Sequence, residues 1–320
     1  MNNRKEVLRT VKSATDNILF SNDDFGLIKS GIDQLYDIFS RQTNVSAEDL
    51  TNDKFTVANH GSVVSQEVAA HCLKDLMRST RFIRGVYKAI KDYSTSTKPV
   101  KVLYAGCGPY ATLITPLTSQ FTSKEVSVTM FDIEQASLDT VHGMYADWGL
   151  LDYVDRFVQG DGTDPSLQLE DTYNIIISET MQVALRKECQ VPLTRNMVRF
   201  LTDKGTFIPE NIVIDVLYES TLEPGAENEK HIASIYELKY DELPAINQVK
   251  KIPFPDESLE YFKMNTTIHI YGNEILKPTE SGLTVPIILD RVAGKKRKGA
   301  IFTYTETAEI PGFEFEYIDE

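Results

Sequence analysis

The stretch Val100 to Ile114 limits most what this chain can fold into. An apolar β-type run, Val100 to Ala105, meets Gly106-Cys107-Gly108-Pro109, and a helix-compatible segment follows from Tyr110. A strand entering a glycine turn and then a helix is how α/β folds let backbone approach a nucleotide-like ligand. The third glycine of the dinucleotide fingerprint is absent, because Tyr110 stands there. The next units strengthen the pattern. A second strand, Val126 to Phe131, ends in Asp132, where a ribose-binding acid belongs. A third, Val154 to Gln159, ends in Gly160-Asp161-Gly162, and a fourth, Tyr173 to Ser178, ends in Glu179. Open parallel sheets bind ligands at the carboxyl ends of their strands. Three acids at three successive strand ends are therefore expected to share a crevice rather than to be solvated loop charges.

Length and charge bound the rest. The 320 residues suit two to three structural units, at roughly 100–200 residues per domain. Hydrophobic residues at 42% suffice for ordinary cores. No apolar run approaches the ~20 residues of a membrane span, and the N-terminus leads into no secretory apolar core. Cys72, Cys107 and Cys189 show no metal or disulfide spacing. A cytoplasmic protein with no membrane partner and no metal is expected. The net charge of −14 argues against nucleic acid, since a phosphate backbone wants a basic face. An acidic surface attracts cations, though solubility alone accounts for such a charge.

Three regions follow in order. Residues 1–97 read as helical, with a start signal at Ser21-Asn22-Asp23-Asp24 ahead of Ile28, Ile32, Leu35, Tyr36 and Phe39. Ser46 to Asp49 is a second start signal and Asn59 to Ser62 a break. Beyond it a core-packing stripe runs through Val64, Val68, Cys72 and Leu76 to Ile90. Residues 98–209 form the sheet region, with helices expected at Ala111 to Phe121, Gln135 to Trp148 and Pro192 to Leu201. Residues 210–320 are β-rich, with strand patterns at Ile212 to Tyr218, His231 to Tyr240, Asn265 to Tyr271, Val285 to Leu289 and Ala300 to Thr305. Lys295 to Lys298 fits a hairpin tip.

The order of strands, glycine turn and acids resembles a class I S-adenosylmethionine-dependent methyltransferase. The resemblance implies an α/β fold: a Rossmann-like seven-stranded methyltransferase domain with a helical N-terminal segment and a β-rich C-terminal domain. It puts S-adenosyl-L-methionine on the glycine turn, Ala105, Gly106, Cys107 and Gly108. The ribose falls to Asp132 with Ile133, and the adenine amino group to Asp161 with Gly162. The acid usual near the end of the first strand is replaced by Tyr104.

Two further stretches resemble protein arginine methyltransferases in particular. In Leu73 to Thr80, Asp75 and Arg78 keep the spacing by which an arginine holds the cofactor carboxylate. A guanidinium suits that task because it donates two parallel hydrogen bonds. The family's preceding aromatic motif is only faintly matched, by Phe55 and His60-Gly61. After the fourth strand, Ser178, Glu179, Met181 and Glu188 match the double-glutamate loop, with Thr180 in the usual aromatic place. The resemblance makes Glu179 and Glu188 catalytic and Ser178 a cofactor contact. A guanidinium is planar, carries five donors and arrives charged. Two carboxylates can grip two of its edges, hold one nitrogen in line with the methyl group and draw positive charge toward the others. Methyl transfer is a displacement, so positioning and electrostatics are the levers.

Two departures point toward a small acceptor. No Thr-His-Trp loop is present, and the nearest stretch is Thr266-Thr-Ile-His269. No segment stands out as the helical arm by which that family dimerises, so a homodimer stays open. The reading is an N-methyltransferase acting on a guanidino or amino group of arginine, an arginine-like small molecule or an arginine-containing peptide. Its rivals are a small-molecule O- or C-methyltransferase and a non-catalytic cofactor-binding protein.

Overall fold

Alternate residues of the central strands feed two separate cores, and this alternation fixes the architecture. The computed structural model describes residues 2–46, 56–95, 97–219, 229–254, 260–291, 297–307 and 309–319. Helices α1 (Asn2–Phe20) and α2 (Phe25–Thr43) form an antiparallel pair at the N-terminus. Asp24 caps α2, accepting from Gly26 and Leu27 N–H at 2.8 and 3.0 Å. The apolar face of α2, Ile28, Ile32, Leu35, Tyr36 and Phe39, is buried as its spacing predicts. A short antiparallel hairpin, β1 (Thr56–Val57) and β2 (Ser62–Val63), follows. It replaces the simple break expected at Asn59 to Ser62. The start signal at Ser46 to Asp49 lies largely outside the described residues.

The stripe from Val64 to Ile90 is two helices, α3 (Gln66–Cys72) and α4 (Leu76–Tyr93). They are split because Asp75 turns out of helical geometry to cap α4. Gly85 on α4 lets the C-terminal strand that carries Ile270 come close: a Cβ there would lie 2.6 Å from Ile270 Cγ2.

Five parallel strands make the sheet: β3 (Val100–Ala105), β4 (Val126–Asp132), β5 (Val154–Gln159), β6 (Tyr173–Ser178) and β7 (Leu201–Ile208), in the order β5-β4-β3-β6-β7. Helix α5 (Gln135–Trp148) connects β4 to β5, and α6 (Gln190–Met197) lies between β6 and β7. Val102 and Tyr104 of β3, with Ile175 and Ile177 of β6, join the core under α1, α2, α4 and α5. Leu103, Ala105 and Ile176 join the core of α6 on the other face. Each fully buried aliphatic side chain contributes about 1.5–3 kcal/mol. A sheet buried on both faces explains the near-continuous apolar runs of these strands.

Three sequence expectations fail here. The helix expected at Ala111 to Phe121 is a series of turns ending in a 3₁₀ helix, Thr115–Ser119. Ala111 has φ of 45°, and Pro116 brings no N–H for a helical ladder. The sheet has five strands among the described residues, not seven. The chain leaves it at Pro209, which cannot donate to a ladder, and Glu210 N–H instead bonds Ile270 O at 3.2 Å. The basic stretch is described only in part, and there Arg297 and Lys298 stand in a strand rather than at a hairpin tip. Lys295 and Lys296 lie outside the described residues, and the strands on either side of them belong to different sheets.

Among the described residues, the C-terminal region holds two antiparallel sheets. One contains β8 (Asn211–Glu219), β9 (Glu229–Lys239), β11 (Tyr261–Tyr271), β12 (Glu274–Leu276) and β13 (Ile287–Arg291), with β11 pairing β8, β12 and β13. The other is β10 (Val249–Pro253), β14 (Arg297–Thr305) and β15 (Gly312–Asp319). Aromatic pairs join them: Phe262 to Phe302 at 5.8 Å and Tyr236 to Tyr304 at 4.6 Å between ring centroids. Arg195 on α6 ties this unit to the parallel sheet, donating to Glu306 at 2.7 and 3.0 Å and to Pro244 O at 2.7 Å.

Candidate active site

The strand order places the functional crevice. From β3 the chain winds one way through β4 to β5, while β6 and β7 lie on the other side. The order reverses between β3 and β6, and there the loops part and leave a crevice. A cavity of about 410 Å³ lies at this point. Its walls include the turn after β3, the ends of β4 and β5, and the loop after β6.

The glycine turn is built from backbone. Gly106 and Cys107 N–H both donate to Phe131 O, at 2.9 and 3.2 Å. Gly106 has φ of +74° and Gly108 of +61°, left-handed values that favour glycine. A Cβ on Gly106 would also stand 2.6 Å from the Thr180 side chain. Asp132 is 6% exposed and accepts from Gly108 N–H and Glu134 N–H, both at 2.9 Å. Burial raises its pKa against these bonds. Asp132 also lines the cavity. Asp161 accepts from Thr163 N–H and Oγ1 at 2.8 and 2.7 Å, and from Asn59 N–H at 2.8 Å. It thus fastens the β1–β2 hairpin to the end of β5.

Gly106, Cys107, Gly108, Asp132, Ile133, Asp161 and Gly162 all line the cavity. Ala105 and Ser178 do not. Ala105 points into the α6 core, and Ser178, fully buried, donates to Gln190 Oε1 at 3.3 Å. Both precede the turns by one residue, where the strand pleat still sends side chains into the sheet.

Glu179 follows β6 directly, and the loop after it carries an unusual backbone. Ala184, Leu185 and Lys187 have φ of 54°, 53° and 67°. Such geometry persists in non-glycine residues where surroundings over-determine it. Here Thr266 Oγ1 on β11 accepts from Ala184 N–H at 3.1 Å, and Tyr304 of β14 donates to Leu185 O at 3.0 Å. Lys187 N–H donates to Pro311 O at 2.8 Å, and Lys187 O accepts from Ser62 N–H at 2.8 Å. Gln190 Oε1 accepts from Thr180 N–H at 3.0 Å. Held from both sides, the loop brings Glu188 back to the cavity wall that carries Glu179. Burial pushes the Glu188 carboxyl up to about 7, with Arg78 and a Gln182 hydrogen bond working against it and Glu179 adding to it.

Arg78, in the first turn of α4, donates from Nε to Glu179 Oε1, and the two side chains are 13% and 11% exposed. Burial alone would lower its pKa, but Cys72, Glu179 and Glu188 together hold it above its ordinary value. Asp75 has a double role: one oxygen accepts from Arg78 N–H at 3.2 Å, and the other from Ser281 Oγ and Gly282 N–H at 2.7 and 2.8 Å. Gly282 and Leu283 complete the wall beside Arg78.

Other expectations resolve as follows. Tyr104 lines the cavity, whereas Tyr110 does not: it donates to Val45 O and packs on Phe39. His269 is half-buried on β11 outside the cavity; within Thr266 to His269 it is Thr266 that reaches the double-glutamate loop. Val68 and Cys72, expected as core, line the cavity. Phe55 lies outside the described residues. Tyr304, the Thr266 contact and the outer bonds of Asp75 carried no sequence signal, because their partners lie 82 to 207 residues away along the chain, and Gln190, with its partners Ser178 and Thr180 only 12 and 10 residues back, carried none either.

No protein-family model matches the chain, and no curated protein matches it. Among solved structures, the Trypanosoma brucei PRMT1 enzyme–prozyme heterotetrameric complex with AdoHcy matches 79% of this chain and 98% of its own, with a TM-score of 0.54 and 13% identity. An open conformation of Arabidopsis thaliana protein arginine methyltransferase 10 matches 78% of this chain and 96% of its own, with a TM-score of 0.52 and 11% identity. At such identities the likeness is one of fold: a parallel sheet with helices followed by an antiparallel β-rich region. No helix among the described residues is long and apolar enough to cross a membrane.

Proposed function

We propose that this chain is an S-adenosylmethionine-dependent N-methyltransferase whose acceptor carries a guanidino or amino group. The observation that carries the proposal is the meeting of Glu179 and Glu188 with the glycine turn around one cavity at the switch point. The residues present fit the cofactor. The left-handed glycine turn leaves room for backbone approach, Asp132 lines the cavity for ribose hydroxyls, and Arg78 lies within the same cavity for a carboxylate. S-adenosylmethionine, when bound, supplies a methyl group already activated by its sulfur cation.

The protein's part is binding and orientation. Glu179 and Glu188 accept from two edges of the acceptor and fix its plane. Their charges draw positive charge toward the gripped nitrogens and leave density on the one that attacks. Glu188, poised near neutrality, can take the proton that the methylated nitrogen releases. The apolar wall of Val68 and Leu283 keeps water from the reacting nitrogen.

The purified protein, incubated with S-adenosylmethionine, meets three acceptor sets: arginine and its small relatives, blocked arginine peptides, and hydroxylated metabolites. Methylation within the first two sets, with release of S-adenosylhomocysteine, is expected. Methylation confined to the third contradicts the reading and favours an O-methyltransferase. Cofactor binding with no turnover in any set favours a non-catalytic protein.

A further inference from the structure

The site contains a bound guanidinium of its own. Arg78 donates to Glu179 inside a wall where both side chains are nearly buried. Its charge neutralises Glu179, and burial keeps Glu188 partly protonated near neutral pH. An acceptor guanidinium entering the cavity meets Arg78 already held by Glu179, and a Glu188 carboxyl that burial keeps partly protonated. Two cations would then share one carboxylate in a desolvated cavity, which is unfavourable. The other ionisable groups of the cavity do not relieve this. Asp132 is bonded to Gly108 and Glu134, Asp161 to Asn59 and Thr163, and burial raises the pKa of Cys72, Tyr104, Cys107 and Cys189, which stay neutral.

The geometry points to a carboxylate-gated acceptor site: a carboxylate bound beside Arg78 draws its guanidinium away from Glu179, and only then is Glu179 free to hold the acceptor. The inference rests on the guanidino-methyltransferase reading and adds an order to it. Arg78 is suited to exchange partners. It sits at the start of α4, its backbone is fixed by Asp75, and its side chain alone has to move. After the exchange the charges close in pairs, Arg78 with the carboxylate and Glu179 with the acceptor. Binding of each ligand then favours the other by the same factor, as linkage requires.

The test measures affinity rather than turnover. Calorimetry follows acetyl-arginine amide, which has no carboxylate of its own, binding to the wild-type chain in three states: alone, saturated with S-adenosylhomocysteine, and saturated with methylthioadenosine. The last shares the nucleoside but lacks the carboxylate. S-adenosylhomocysteine is expected to tighten binding on the order of tenfold or more, the scale of ordinary coupling between sites. Methylthioadenosine is expected to leave it unchanged. In Arg78→Met, binding without any nucleoside is expected to match that of the S-adenosylhomocysteine complex. Equal affinity in all three wild-type states overturns the gate and leaves the acceptor site standing. Equal tightening by both nucleosides also overturns it, because the carboxylate would then be irrelevant. No binding in any state, Arg78→Met included, overturns the guanidino reading and the gate with it.

Discussion

The parallel sheet and the C-terminal β unit contribute to the cavity in opposite ways. The sheet supplies the glycine turn and acids of the cavity from short contiguous stretches: Gly106 and Gly108 after β3, Asp132 after β4, Asp161 after β5. The turn after β3 is fixed by the neighbouring strand end, through Phe131 O and Asp132, and Asp161 by Thr163 and Asn59. The C-terminal unit supplies support. Thr266, Tyr304 and Pro311 hold the backbone of the loop that carries Glu188, and Ser281 and Gly282 hold Asp75. The comparison teaches that the Glu188 loop, and Asp75 beneath Arg78, are held in place only with the C-terminal unit docked, whereas the glycine turn and Asp132 are held within the sheet.

Changes on either side should therefore separate cofactor binding from acceptor turnover. The largest effect is expected for Glu179→Gln. Turnover should fall by about 10²–10³, the usual cost of removing one preorganised electrostatic contact, while calorimetry finds S-adenosylhomocysteine still bound. Gly106→Val should do the reverse and abolish cofactor binding itself. It forces a branched side chain into φ of +74° and against Thr180, a combined cost of about 2–5 kcal/mol. If Gly106→Val binds S-adenosylhomocysteine normally, the sheet half is misassigned.

Thr266→Val leaves Ala184 N–H without its acceptor. It should cost about 1–3 kcal/mol, expressed as weaker acceptor binding with an unchanged cofactor affinity. Equal loss of both would mean that the two halves are not separable. Asp75→Ala removes a helix cap and a tie to the C-terminal β unit; about 1–2 kcal/mol should appear as a melting point lower by about 2–8 °C.

The smallest effect concerns pH. Glu188 ionises near 7 in the folded chain against 4.5 in the ordinary range. Between those values the native state holds a proton that the unfolded chain has lost. Stability therefore falls as pH rises through this window, and the loss is complete above it. Acceptor affinity moves the other way, rising through about pH 7 as the carboxylate charges. Glu188→Gln should flatten both profiles, and profiles that keep their slope in that variant exclude Glu188 as the titrating group.

What was legible in the sequence follows the same division. The strand ends could be read because one strand, its turn and its acid are contiguous, and a strand buried on both faces leaves an apolar run. Helix α5 could be read from its periodicity and from Gly149, which ends it with φ of +60°. The segment after Gly108 looked helical by composition, but tertiary bonds override propensity there: Tyr110 reaches Val45 O, and Thr115 Oγ1 returns to Tyr110 O at 2.6 Å. The strands β10, β12 and β15 left no expectation; β12 spans only Glu274–Leu276, and β10 runs largely exposed at an edge. Val68 and Cys72 read as core because an apolar helix face looks alike whether it meets a protein core or a ligand cavity. The Arg78–Glu179 pair joins motifs 101 residues apart, so only the fold could reveal it.

The most direct test of the central claim locates the transferred methyl group. Acetyl-arginine amide is incubated with S-adenosylmethionine and wild-type protein, Glu179→Gln or Glu188→Gln, and the product is fragmented by mass spectrometry. The account expects a methyl group on a guanidino nitrogen with the wild type and its loss in both variants, each of which still binds S-adenosylhomocysteine. A methyl group elsewhere, or a guanidino product that survives either substitution, would contradict it.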